Sequence, residues 1–176
     1  GGDFDRVGAD TVIDVCAVPT PAIYVVSICY SGDSSTLGAD TMFYACHQPG
    51  IGELTTTPCD HGTTASAGSD TIIEACSEPT PGSFVSTICD PGSIIAVGTD
   101  TLMSPCTNPA SGEYVSTACD PGSSVLLGAD TVRASCSAPD NEHYTAAACV
   151  AGSYAAAGAD TSIASCSAPA ADTFVT

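Results

Sequence analysis

The spacing of the cysteines constrains this chain more than any other feature of its sequence. Successive cysteines are separated by alternating steps of 13 and 17 residues, without exception. They stand at Cys16, Cys29, Cys46, Cys59, Cys76, Cys89, Cys106, Cys119, Cys136, Cys149 and Cys166. The period is 30 residues, which gives the repeats 1–30, 31–60, 61–90, 91–120, 121–150 and an incomplete 151–176. Such a period predicts one tandem-repeat array over residues 1–176.

Each repeat also carries turn residues at fixed places. Two glycines, a proline and an Asp-Thr pair recur at every period, so turns are expected at the same offsets. The segments 84–87 and 114–117 are short strand candidates. A nearly constant aromatic position, which we interpret as a packing position, holds Tyr24, Leu54, Phe84, Tyr114, Tyr144 and Phe174. No segment shows a sustained helical apolar pattern. The sequence therefore predicts an all-β or irregular, disulfide-rich repeat fold with almost no helix, forming an elongated rod or solenoid.

Net charge excludes several classes of partner. The chain has 20 acidic residues against two basic ones, Arg6 and Arg133, and a formal charge of −18. A protein that neutralises nucleic-acid phosphates needs the opposite balance. Docking on an anionic membrane is disfavoured for the same reason. No apolar run is long enough to insert into a bilayer.

Cysteine content indicates the compartment. Eleven cysteines in 176 residues are typical of an oxidising, extracellular setting. A repeat of 30 residues is too small to fold without help. A disulfide closing a loop of about 15 residues contributes about 3 kcal/mol in the chain-entropy model. The sequence starts at Gly1 without a methionine or signal peptide, and we expect a processed or partial chain.

The repeat length never varies, although loops normally tolerate insertions. Recent duplication is one explanation. The other is that a constant step matters, as it would in a filament whose repeats are in register. Because the variable positions have diverged while the length has not, we favour the second.

One stretch resembles a known family of small disulfide repeats. It runs Cys106…Pro109…Gly112-Glu-Tyr-Val-Ser-Thr-Ala-Cys119-Asp-Pro-Gly-Ser…Gly128-Ala-Asp-Thr. It is similar to the cysteine-rich repeats of tumour-necrosis-factor-receptor type, and more so to those of ciliate and other protist surface antigens. In that family two further cysteines form a second bridge. Here the prolines from Pro19 to Pro169 occupy one of those places, and the other holds Ile13, Phe43, Ile73, Met103, Arg133 and Ile163.

The resemblance implies that the remaining bridge of each repeat is kept. It joins Cys16–Cys29, Cys46–Cys59, Cys76–Cys89, Cys106–Cys119 and Cys136–Cys149, and pairs Cys166 with a residue beyond the chain. The shorter loop also contains a proline and a strand candidate that can bring its ends together. The alternative ladder joins Cys29–Cys46, Cys59–Cys76, Cys89–Cys106, Cys119–Cys136 and Cys149–Cys166. Both ladders have five bonds and one unpaired cysteine, so counting does not decide between them.

Two kinds of surface site are suggested by composition. Calcium prefers oxygen ligands, and its candidates are the aspartates of the Asp-Thr pairs: Asp10, Asp40, Asp70, Asp100, Asp130 and Asp160. The competing interpretation is that these aspartates cap turns. Ser and Thr interleaved with Pro are typical of O-glycosylated stalks. The glycan candidates are Ser34, Ser35, Thr36, Thr55, Thr56, Thr57, Thr63 and Thr64.

No motif predicts catalysis. The three histidines, His47, His61 and His143, occupy unrelated positions in their repeats, and the cysteine steps match no zinc spacing. We therefore expect no cofactor other than calcium and no enzymatic activity. The expected function is an extracellular structural protein, a repeat-built rod that forms or extends a filament or surface coat. Its expected partners are copies of itself or further repeats end to end, and covalent glycans. The alternative is a cell-surface adhesion or ligand-recognition ectodomain.

Overall fold

Short strands and turns account for the regular structure of this protein. The structure, a computed structural model, describes residues 12–33 and 36–168, and no helix occurs in these ranges. Ten strands follow one another as β1 (Ile23–Ser27), β2 (Met42–Ala45), β3 (Glu53–Thr57), β4 (Ile72–Ala75), β5 (Ser83–Thr87), β6 (Leu102–Pro105), β7 (Glu113–Thr117), β8 (Val132–Ser135), β9 (His143–Ala147) and β10 (Ser162–Ser165). The prediction of an all-β, disulfide-rich repeat fold without helix is confirmed.

The strands pair into five antiparallel hairpins, β1–β2, β3–β4, β5–β6, β7–β8 and β9–β10. The first strand of each hairpin lies between the two cysteines of a repeat. The second strand ends directly before the first cysteine of the next repeat, as β2 ends before Cys46. A hairpin therefore combines the second half of one 30-residue repeat with the first half of the next.

Each hairpin contains a bulge near the end of its first strand. In β5 the register shifts between Val85 and Thr87, which leaves Ser86 unpaired in the ladder. The Ser86 hydroxyl donates instead to the carbonyl oxygen of Leu102 at 3.1 Å. Small hydroxyl residues fit this position because they replace a missing ladder bond locally.

A tight turn introduces the first strand of each hairpin. In the turn 80–83, the Ser83 amide donates to the Thr80 carbonyl at 3.0 Å. Gly82 has a φ of +86°, and Gly112 of the next turn has +81°. Such angles are strained for residues with a Cβ and free for glycine. Ala22 takes the same place in the first turn, with a φ of +85°.

A second set of backbone hydrogen bonds links each of the first four hairpins to a loop later in the chain. The Val25 amide donates to the His61 carbonyl at 3.0 Å, and the Gly68 amide donates to the Val25 carbonyl at 2.8 Å. Equivalent bonds recur at the same spacing: Thr55 with Pro91 and Gly98, Val85 with Pro121 and Gly128, and Val115 with Ala151 and Gly158. In β1, β3, β5 and β7 the central residue thus lies opposite a residue of its own hairpin and bonds to the next loop through both its amide and its carbonyl.

Burial is concentrated in this central position. Val25, Thr55, Val85 and Val115 are fully buried, whereas Thr145, in the same place of the last described hairpin, is exposed. The only other clustered core consists of Cys46, Cys59 and Ile94 with Ala22 and Tyr24 packed against it, as far as the described residues show. Many large apolar side chains remain on the surface. The fold therefore depends on disulfides and backbone hydrogen bonds more than on a thick core.

The chain divides into two compact units. One consists of Gly1–Ala75 with Pro91–Thr99, and it contains the hairpins β1–β2 and β3–β4. The other consists of Cys76–Asp90 with Asp100–Thr176, and it contains the remaining three hairpins. In the described ranges there is no helix long and apolar enough to cross a bilayer.

Candidate functional site

Disulfide bonds occur at the same place in each of the five complete repeats. The structure joins Cys16–Cys29, Cys46–Cys59, Cys76–Cys89, Cys106–Cys119 and Cys136–Cys149, each across 13 residues. This is the pairing that the receptor-type resemblance implies. The alternative ladder, which would bond Cys29 to Cys46, does not form. Cys166 is a free, exposed thiol. Each disulfide closes a covalent loop around the first strand of a hairpin.

In the five Asp-Thr pairs that the structure describes, the aspartate clamps two distant segments together. Asp100 Oδ1 accepts hydrogen bonds from the Thr101 amide and from the Ser77 amide, both at 2.7 Å. Its Oδ2 accepts the Ser77 hydroxyl at 2.6 Å. Ser77 directly follows Cys76, 23 residues earlier in the chain. The Asp100 carboxylate therefore ties the segment before β6 to the residue that follows Cys76.

The clamp recurs with small changes of partner. Thr107 and Ser137 present hydroxyls to Asp130 and Asp160 in the same way, both at 2.6 Å. His47 takes this place opposite Asp70, with its Nδ1 at 2.7 Å from Oδ2. The Ala17 amide donates to Asp40, and alanine adds no side-chain bond. Asp10 lies outside the described residues.

Hydrogen bonding lowers the pKa of several clamp carboxyls. For Asp100, Asp130 and Asp160 the largest cause is the hydroxyl of Ser77, Thr107 or Ser137, which stabilises the ionised form. For Asp70, burial raises the pKa, but the bonds from His47 and Thr71 outweigh it, and the pKa is lowered overall.

This geometry favours the capping interpretation of the Asp-Thr pair. Both oxygens of Asp100, Asp130 and Asp160 already accept hydrogen bonds from the protein. A calcium ion would have to displace these donors and would need several further oxygens. Sequence reasoning anticipated the bond to the next amide. It missed the partner 23 residues earlier, because a single sequence does not reveal such a contact.

The threonine of the pair is buried in four of the repeats. Thr41, Thr71, Thr101 and Thr131 are each less than 9% exposed, and their Oγ1 atoms have no hydrogen-bond partner. Thr55 Oγ1, in the fully buried central position, is also without a partner. An unpaired buried hydroxyl costs free energy, so these five atoms weaken the fold.

Two groups of potential metal ligands occur in the described ranges. Cys46, Cys59 and His61 form one, and Cys76, Cys89 and Asp100 form the other, with ligand atoms within 4.8 Å in each group. Both cysteine pairs are disulfides. Because the thiolate is the metal-binding form, these sulfurs serve as cross-links here.

Histidines make separate, local contacts. His61 Nδ1 donates to the Ile23 carbonyl at 2.8 Å, and so adds a side-chain bond between the loop and the preceding hairpin. His143 Nδ1 contacts Asp140 within its own turn. The absence of catalytic activity stays a prediction.

The glycan candidates differ in accessibility. Thr55 is fully buried, so its hydroxyl is inaccessible in the folded chain, which disfavours a glycan at this position. Thr36, Thr57 and Thr63 are exposed, while Thr56 and Thr64 are half-buried. Thr56 donates its hydroxyl to the Ile72 carbonyl at 3.3 Å. Ser34 and Ser35 lie outside the described residues.

One repeated contact was not identified from the sequence. It is the placement of Val25, Thr55, Val85 and Val115 between their own hairpin and the next loop. The signal was present: the position after the aromatic residue holds only Val or Thr in all six repeats, ending at Thr145 and Val175.

Comparisons with protein-family models, with curated proteins and with solved structures find no match. The structure supports a cysteine-rich repeat protein of disulfide-bonded hairpins. The likeness to receptor-type and protist repeats therefore stays a resemblance.

Proposed function

We propose that this chain is an extracellular structural protein whose repeats form or extend a filament or surface coat. The observation that carries the proposal is the set of bonds between each of the first four hairpins and the next loop. The amides of Val25, Thr55, Val85 and Val115 reach the carbonyls of the following loops at 2.9–3.0 Å in every case. A contact that repeats with constant geometry adds stability with each further repeat, as in other repeat arrays.

Location and charge support the same proposal. Five disulfides are typical of proteins from an oxidising compartment. The formal charge of −18 keeps a surface soluble and disfavours non-specific association at low salt. The disulfide and the aspartate clamp, which recur from repeat to repeat, both hold the fold together.

Electron microscopy of the native material tests this function. Continuous filaments, with density that repeats along the filament axis, are the expected result. Isolated rods that are anchored at one end would instead support an adhesion or recognition ectodomain. A globular, monodisperse particle would contradict both.

The recognition alternative is favoured by one observation, the variation at the loop tips. The tip of one loop exposes Val125, Leu126 and Leu127, whereas the equivalent residues in the last repeat are Ala155, Ala156 and Ala157. Residues that differ between repeats and lie on the surface are suited to partner binding. In that case, replacing Val125–Leu127 by alanines would abolish binding to a partner and leave the thermal stability unchanged.

A further inference from the structure

The outer side of β2 carries backbone groups without a partner in the described part of the chain. β2 belongs to a sheet of two strands, so only β1 is paired with it. Opposite residues in such a pair alternate between hydrogen-bonded and non-hydrogen-bonded pairs. The amide and carbonyl of Val25 bond to the loop at His61 and Gly68. Val25 and its opposite residue Phe43 are therefore a non-hydrogen-bonded pair.

The same alternation gives the direction of the free groups. The amide and carbonyl of Phe43 point away from β1, and so do those of Ala45, which lies opposite Ile23 in the next pair of this type. The Cys46 amide donates to the Ala22 carbonyl at 2.9 Å, as expected of the hydrogen-bonded pair that follows. Phe43 and Ala45 thus present two donors and two acceptors on the outer side of β2, which we call the β2 edge.

The equivalent edges of three other hairpins are protected by their sequences. In β6 the place of Ala45 is taken by Pro105, which has no amide to donate. A proline fits there because the amide at this position faces away from the partner strand. β4 carries Glu74 and β8 carries Arg133, and charges on an edge strand disfavour pairing with another strand. β10 is uncharged but has only the small Ala164 at its centre.

β2 has no such protection. It reads Met-Phe-Tyr-Ala, with neither a charge nor a proline. Met42 is 57% exposed and Tyr44 is 59% exposed. The Tyr44 ring packs edge to face against Tyr24 of β1, with the ring centroids 6.3 Å apart. An exposed apolar edge strand is a site for strand addition, in which backbone hydrogen bonds give affinity.

We propose that the β2 edge pairs antiparallel with the β2 edge of a second copy of this chain. The proposal rests on the structural function proposed above and specifies how copies join side by side. The free groups fix the register, because Phe43 of each copy must lie opposite Ala45 of the other. The two Tyr44 residues then face each other on a two-fold axis. The contact has two hydrogen-bonded pairs with two bonds each, which makes four backbone bonds.

A second copy fits this edge because the centre of the contact is uncharged. The formal charge of −18 makes copies repel, so they can approach best where neither carries a charge. Glu74 has the central place in β4, and two copies paired there would bring like charges directly opposite each other. Tyr44 instead forms an aromatic cross-strand pair with its own copy, which stabilises the contact. The same residues satisfy both sides, so the contact needs no second surface.

Two substitutions test the edge, and each has a control in the same chain. Ala45→Pro removes an edge amide where β6 already has a proline, and Ala75→Pro makes the same change in β4. Tyr44→Glu places like charges on the two-fold axis. Tyr30→Glu makes that change outside β2, at a residue that is 58% exposed. All proteins carry Cys166→Ser, because the exposed thiol of Cys166 would otherwise form disulfide-linked dimers.

Sedimentation velocity over a range of concentrations, at high salt to screen the net charge, is the first measurement. The Cys166→Ser chain and the two control variants are expected to dimerise as the concentration rises. Ala45→Pro removes two of the four backbone bonds and is expected to weaken the dimer roughly 5- to 150-fold. Tyr44→Glu is expected to weaken it roughly tenfold or more. A monomer at every concentration, or equal association of each variant and its control, would overturn the proposal.

Amide hydrogen exchange locates the contact. The amides of Phe43 and Ala45 are expected to exchange rapidly in the monomer and slowly in the dimer, because only the dimer gives them acceptors. The amides of Ile73 and Ala75, at the same places in β4, are expected to exchange rapidly in both. Rapid exchange at residues 43 and 45 in the dimer would place the contact elsewhere and refute the β2 edge.

Mixing identifies what lies on the β2 edge. A Cys166→Ser chain with fluorescein at its amino terminus is mixed with an excess of an unlabelled chain and followed by fluorescence-detected sedimentation. An unlabelled chain with both Tyr44→Glu and Ala45→Pro is expected to bind it more weakly than one without them. Equal binding would show that another segment of the second copy lies on β2, and would reject the symmetric pairing.

The outcomes also distinguish this contact from the proposed function. Filaments in the native material, together with no difference between the β2 variants and their controls, would reject the β2 edge and leave the structural function standing. A difference between variants and controls without native filaments would do the reverse.

Discussion

Thr55 provides the sharpest test of how the hairpins are held together. It occupies the central position of β3, where the equivalent hairpins have Val25, Val85 and Val115, and all four residues are fully buried. Its Oγ1 has no hydrogen-bond partner. We expect Thr55→Val to stabilise the protein, because valine has nearly the same shape and lacks the unsatisfied hydroxyl.

The magnitude follows from the cost of that hydroxyl. A buried polar group without a partner costs about 1–3 kcal/mol. The backbone bonds of residue 55, to Pro91 at 3.0 Å and to Gly98 at 2.9 Å, do not depend on its side chain. The gain is therefore expected to be about 1–3 kcal/mol, which corresponds to a roughly 5- to 150-fold slower exchange of the amide at residue 55.

Amide hydrogen exchange under non-reducing conditions measures this change locally and does not require two-state unfolding of the whole array. Val85→Thr is the reciprocal variant and is expected to speed exchange by a similar factor. Thr57→Val alters an exposed residue of the same strand and is expected to be neutral within about 0.5 kcal/mol. If Thr55→Val leaves exchange unchanged or accelerates it, the hydroxyl has a partner and the reasoning is wrong.

Three further predictions concern the turns, the clamps and the surface charge. Ala22→Gly is expected to stabilise the first turn by about 1 kcal/mol, because φ is positive at residue 22. Gly112→Ala is expected to destabilise its own turn by a similar amount, because φ is positive there and an added Cβ would meet nothing within 4 Å. Thermal unfolding of the two variants measures both changes. Because the pKa of Asp100 is lowered in the fold, its contribution to stability is complete above the ordinary value of 3.8 and is lost as the pH falls through the folded pKa. Acid titrations of the Ser77 amide resonance follow this loss, and Asp100→Asn is expected to remove the pH dependence. Association of copies is expected to increase with salt or divalent cations, because the charge of −18 is screened, and light scattering that is indifferent to both would contradict this.

The fold class could be read from the sequence because it depends on local signals. The strand candidates 84–87 and 114–117 correspond to β5 (Ser83–Thr87) and β7 (Glu113–Thr117). The second strands were not predicted as such. β6, for example, has only four residues and ends in Pro105. It forms a strand through its antiparallel pairing with β5, and the Asp100 clamp to Ser77 ties the segment before β6 to the residue after Cys76.

The packing position was only partly predictable. The nearly constant aromatic position suggested a core, and Leu54 is indeed buried, but Tyr144 is 53% exposed. The neighbouring Val or Thr is buried more completely, because its side of the strand is covered by the loop of the following repeat. Periodicity reveals which positions are constrained, whereas the partner that covers each one depends on contacts about 36 residues apart, as between Val25 and His61.

These contacts also give a physical reason for the constant repeat length. Three contacts of fixed sequence separation recur along the array. They are a disulfide across 13 residues, an aspartate clamp across 23 and a strand–loop hydrogen bond across 36. Examples are Cys76 with Cys89, Ser77 with Asp100 and Val85 with Pro121. The connecting segments have little slack, because the turn 80–83 and the loop tip 123–126 are closed by hydrogen bonds between their first and last residues. An inserted residue in either place would break one of these closures or shift a strand by one position, which would turn the buried central side chain outward. Duplication explains how equal repeats arise. The interlocking bonds explain why their length stays equal after the surface residues have diverged.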